Sequence, residues 1–60
     1  MIQVKVFDKD HEQDLEKEVN RFLRKIEDED VVDIKYQVEC FVDEDDEDYY
    51  RYTAMVIYKA

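Results

Sequence analysis

The chain has no glycine, no proline, no tryptophan and no serine, and it has one cysteine and one histidine. Each shortage excludes something. A single cysteine, Cys40, leaves no internal disulfide and fits a reducing compartment. A nucleophile needs an adjacent base and an orienting third group. His11 and Cys40 fall in different predicted elements and there is no serine, so no catalytic residues are assigned. Without glycine, any left-handed turn position falls to aspartate. The sharp turn of a calcium-binding EF-hand loop also lacks its glycine. No uncharged apolar run reaches seven residues, so neither a signal-peptide core nor a transmembrane helix is expected. Basic residues are scarce as well: nine against eighteen acids, for a net charge of −9. That balance disfavours direct nucleic-acid binding, which needs cations to neutralise phosphates, and it disfavours anionic membranes. It favours a basic protein partner.

Sixty residues allow one domain, 1–60, and a chain this short buries only ~60% of the surface it exposes when unfolded. Small domains gain support from disulfides, metals or association. With no disulfide and no ligand set for a metal or other cofactor, association remains, and a homodimer is expected.

What is present is periodic. Residues 2–7, IQVKVF, alternate Ile2, Val4 and Val6 with Gln3 and Lys5, the period of a half-buried strand. Asp10 is placed to cap a helix, with Gln13 three positions on. Leu15, Val19, Phe22, Leu23 and Ile26 form one apolar stripe of a helix running to about Ile26. Residues 31–42, VVDIKYQVECFV, put Val32, Ile34, Tyr36, Val38, Cys40 and Val42 on one face of a second strand, with Cys40 read as a small core residue. Residues 49–59 make a third strand, joined to the second by a polar loop as in a hairpin.

These pieces predict an α+β fold: β-α-β-β, one helix packed on a three-stranded antiparallel sheet of strand order 1-3-2. This split β-α-β arrangement is half of a ferredoxin-like fold. The third strand has apolar residues on both faces, as a central strand should. One helix covers one face only. By alternation, Phe7, Phe41, Met55 and Ile57 fall on the uncovered face and are the expected dimer interface.

The segments HEQDLEKEVNRFL (11–23), DIKYQV (33–38) and YTAMVIY (52–58) resemble the small acidic sporulation proteins of Bacillus and relatives, the sixty-residue Cse type. The resemblance covers nearly the whole chain, and none of the three segments holds a catalytic motif. It implies a cytoplasmic protein of a Gram-positive, spore-forming bacterium. Similar short acidic proteins are carried by phages of such hosts, and the acid run at 43–48 is heavier than the family pattern.

Ten of the eighteen acids lie in two runs. One is the loop Asp43, Glu44, Asp45, Asp46, Glu47 and Asp48; the other is Glu27, Asp28, Glu29 and Asp30. The first is the candidate partner-binding loop and the second an accessory acidic cluster, since carboxylate runs can imitate phosphates before a basic groove. The function expected is therefore non-catalytic. A small acidic homodimeric protein would modulate a host protein in sporulation or, if phage-encoded, inhibit a host defence or nucleic-acid enzyme. The alternatives are a solubilising or structural acidic protein with no specific target, and a weak divalent-cation binder.

Overall fold

Alternating runs form strands and the single 3.6-residue stripe forms a helix. The computed structural model describes residues 1–60. In chain order these are β1 (Ile2–Lys9), α1 (Glu12–Leu23), a 3-10 turn (Asp28–Asp30), β2 (Val31–Val42) and β3 (Asp48–Lys59). The sheet order is β1-β3-β2, and both outer strands run antiparallel to β3. The architecture expected from the sequence is the one observed.

The core is small. Phe7, Leu15, Ala54 and Val56 are buried, and Val19, Phe22, Leu23, Tyr52 and Tyr58 pack around them. Phe7 stands opposite Ala54 in the strand register, where a small neighbour leaves room for the ring. Phe22 of α1 sits edge-on to both aromatic neighbours, with ring centroids 5.9 Å from Phe7 and 5.1 Å from Tyr58. Edge-to-face geometry of this kind adds about 0.5–1.5 kcal/mol per pair beyond burial. The Tyr58 hydroxyl donates to Gln3 Oε1 at 3.0 Å, which ties β1 to β3 on the helix side.

This core corrects the expected phase of β1. Phe7, assigned to the uncovered face, is 9% exposed beneath α1. Ile2, Val4 and Val6 then point the other way and are exposed. The physical reason is economy of cover. A 12-residue helix shields only ~18 Å of sheet, and turning β1 so that its largest side chain meets Leu15 and Phe22 buries the most apolar surface. Lys5 takes the helix side with its amine 6.0 Å from the Phe7 ring centre.

The helix ends also differ from expectation. His11, not Asp10, is the N-cap, and its side chain makes no capping bond. Asp10 instead pairs with Arg51 of β3. At the other end α1 stops at Leu23, and Lys25 and Ile26 turn back through bonds to Phe22 and Leu23 carbonyls of 2.9 and 3.3 Å. A register shift between Val31 and Asp33 makes Val32 the extra residue of a bulge, so Val31 rather than Val32 lies opposite Tyr58.

The molecule is long: its backbone extents are 45 × 19 × 11 Å and its radius of gyration is 13.8 Å, against about 10 Å for a compact chain of this length. The excess comes from the hairpin. β1 reaches only Tyr52 of β3, whereas β2 continues to pair with β3 from Glu39 opposite Arg51 to Val42 opposite Asp48. Those residues form a two-stranded arm beyond the end of the core.

Candidate interaction surfaces

The arm ends in the acidic loop, and that loop is a built turn. Asp43 Oδ1 accepts from the backbone amides of Asp45 and Glu47, both at 2.9 Å. The Asp46 amide donates to the Asp43 carbonyl at 3.1 Å, and the Asp43 amide to the Glu47 carbonyl at 3.1 Å. Asp46 sits at φ 58°, the left-handed position that a chain without glycine gives to aspartate. Asp43 is thus partly spent on the backbone, while Glu44, Asp45, Asp46, Glu47 and Asp48 are exposed at the tip.

Behind the tip lie aromatic side chains. Phe41 stacks on Tyr49 with centroids 5.5 Å apart, and Tyr50 lies 6.4 Å from Tyr52. Phe41, Tyr49 and Tyr50 are all exposed. At the root of the arm Arg51 forks onto Asp8, with Nε 3.0 Å from Oδ1 and Nη2 3.0 Å from Oδ2, and also contacts Asp10. Its hydrogen bond to Asp8 holds the guanidinium above its ordinary ionisation range. On the helix side the Tyr52 phenol is also raised above its ordinary value, first by a hydrogen bond to Glu12 and then by burial.

The second acidic run, Glu27, Asp28, Glu29 and Asp30, forms and precedes the 3-10 turn at the opposite end of β2. The two acidic clusters are therefore separated by the whole length of β2, and the structure does not bring them together. No group of three or more His, Cys, Asp or Glu is arranged to hold a metal ion. His11 and Cys40 are both exposed and in different elements. Cys40, read as a core residue, is on the helix side of the arm opposite Tyr50, where α1 does not extend.

Of the four residues assigned to the uncovered face, Met55 and Ile57 are there and half-buried. Val6 and Lys35 flank Met55, and Val4 and Asp33 flank Ile57. Phe41 shares this face but pairs with Tyr49, six residues along β3 from Met55, or ~20 Å at strand rise. The contiguous aliphatic patch is therefore Ile2, Val4, Val6, Met55 and Ile57. The sequence reading missed the three β1 members because it gave the helix the more regular alternation instead of the larger ring.

A sequence model of the family described as "Sporulation protein Cse60" matches residues 1–60. The chain belongs to this sporulation family. Within it, the "Sporulation protein cse60" of Bacillus subtilis (strain 168) is 44% identical over 59 residues, which is 98% of each chain. No solved structure is significantly similar. No helix of this Cse60-family chain is long and apolar enough to cross a membrane.

Proposed function

We propose that this Cse60-family chain is a non-catalytic, homodimeric binding protein of the sporulating cell that engages a basic protein surface with its hairpin arm. The observation that carries the reading is the arm itself. A chain with a core of only four buried residues extends a two-stranded hairpin beyond that core. It tips the hairpin with a turn locked by Asp43 and backs it with exposed Phe41, Tyr49 and Tyr50. Fixed carboxylates speed encounter with a cationic surface, and tyrosines beside them supply anchoring area of the kind found at binding hot spots. The second cluster, 27–30, extends the negative field to the other end of the molecule.

Dimerisation is supported by the inverted phase of β1. Ile2, Val4 and Val6 are each more than half exposed and lie beside Met55 and Ile57 on a face that no helix covers. Two such sheets packed face to face, about 10 Å apart, would bury these patches and leave both arms free. The compartment that fits this role is the cytoplasm.

The test is affinity capture from a lysate of sporulating cells, with the native chain and with residues 43–48 changed to Asn and Gln. Retention of a basic protein by the native chain alone is the expected result. Equal retention by both, or by neither, removes the acidic tip from the function. Sedimentation of Val4→Glu plus Met55→Glu tests the dimer: a mass unchanged from a native dimer would place the interface elsewhere.

A further inference from the structure

Besides the open face and the acidic tip, a third surface lies uncovered. Helix α1 packs on β1 and β3, so the half of the same layer that lies over β2 is empty. Between α1 and β2 runs an open groove of about 320 Å³, with Ile34, Tyr36 and Ala54 on its floor and Leu15 and Val19 in its wall. Beyond the groove the same face of β2 continues through Val38, Cys40 and Val42. In a chain in which 45% of residues are charged, these alternate positions of β2 carry no charge. They are nonetheless open to solvent, Ile34 at 44% and Tyr36 at 60%. Solvation gives no reason to keep such a stripe uncharged; burial against an apolar surface does.

We propose that this groove receives an amphipathic helix with basic flanks from the partner protein. The inference rests on the reading of the chain as a binder of basic protein surfaces and gives the chemistry of that surface. Three features select the occupant. The slot lies beside α1 in the helix layer, and a second helix 8–10 Å from α1 fills the space that strand addition at the β2 edge would leave open. Glu12 and Glu16 border the groove, and Glu27–Asp30 and 43–48 stand at the two ends of β2, so the rim is acidic on one long side and at both ends. A second copy of this chain would bring its own charge of −9 against that rim. From Ile34 to Val42 this face of β2 is ~26 Å long, the length of a helix of about 17 residues, with α1 as a side wall only beside Ile34 and Tyr36.

The experiment titrates the native protein against a fluorescent synthetic peptide of about 18 residues. It is built of Leu and Lys with all Leu on one helical face, and binding is followed by anisotropy at about 0.15 M salt. A scrambled peptide of the same composition has no apolar face. The expected result is helix induction by circular dichroism and binding at least about tenfold tighter than the scrambled peptide. That tenfold preference should be lost in Tyr36→Glu plus Val38→Glu, because the peptide's apolar face then meets two carboxylates instead of two apolar side chains. Gln37→Glu, exposed on the opposite face of the same strand, should bind within about twofold of native. Both strip residues are exposed, and circular dichroism of the free variants checks their folding; Ile34→Ser plus Tyr36→Ser repeats the test with milder changes.

Equal affinity for the scrambled peptide, or full binding by the strip variants, overturns the proposal, since charge alone would then explain it. Loss of native self-association in the strip variants would also overturn it, by giving the groove to a second copy. If the peptide still prefers the groove after 43–48 are neutralised and lysate capture is lost, the groove stands. If lysate capture survives the strip variants unchanged and peptide preference is absent, the groove reading fails and the acidic-tip reading remains.

Discussion

Phe7→Ala and Val6→Ala form the sharpest pair of perturbations, because neighbouring residues on one strand should behave oppositely. Phe7 is 9% exposed and meets Leu15, Ala54 and Phe22. Truncating a core phenylalanine costs about 3–5 kcal/mol through lost transfer energy and a cavity. A 60-residue chain has roughly 3–9 kcal/mol of total stability at 0.05–0.15 kcal/mol per residue, so Phe7→Ala should leave a mostly unfolded or barely folded protein. Val6 is 63% exposed, and exposed substitutions fall within about 0.5 kcal/mol. Urea unfolding followed by far-ultraviolet circular dichroism, at dilutions where sedimentation shows monomer, measures both. The dimer proposed through the open face predicts that Val6→Ala acquires a cost at higher concentration. A Phe7→Ala chain within about 1 kcal/mol of native, together with a larger loss from Val6→Ala in the monomer, would show that β1 presents its other face to the helix.

The turn at the tip gives a second test: Asp46→Gly should be neutral or mildly stabilising, whereas Asp46→Val should cost about 1–2 kcal/mol, because a β-branched residue resists the left-handed position. Asp43→Ala should cost about 1 kcal/mol by orphaning the Asp45 and Glu47 amides, with faster amide exchange confined to the arm. Arg51→Met should lower stability slightly in dilute buffer and by less at about 1 M salt, where exposed charges are screened; a salt-independent loss would mean that its aliphatic stem matters more than its pairs with Asp8 and Asp10. Tyr52 should ionise above the ordinary tyrosine value in an ultraviolet titration. Its folded value is raised, so its contribution is complete below the unfolded value of about 10 and is lost as pH climbs through the folded value. Tyr52→Phe should flatten that alkaline decline.

The Bacillus relative matches at almost full length. That relative is a sporulation protein, and the reading of this chain as a binder rests on its own surfaces.

Local pattern alone determined the elements and their order. Alternation marked β2 at residues 31–42 and β3 within one residue of its start, the apolar stripe marked α1, and the lack of glycine put an aspartate at the left-handed turn. Period and turn chemistry act between near neighbours and leave a trace in the string. The strand order was legible too, because only a central strand needs apolar residues on both faces.

Tertiary structure decided which face of β1 the helix covers, where Asp10 spends its carboxylate, and how far α1 reaches over β2. None of these is a property of a segment. Phe7 is inward because Ala54 and Phe22, 47 and 15 residues away in sequence, leave a space of its shape; Asp10 leaves the helix cap because the register of β3 brings Arg51 beside it. The open groove along β2 exists because one short helix covers two strands of a three-stranded sheet, a mismatch of widths that appears only when the elements are assembled.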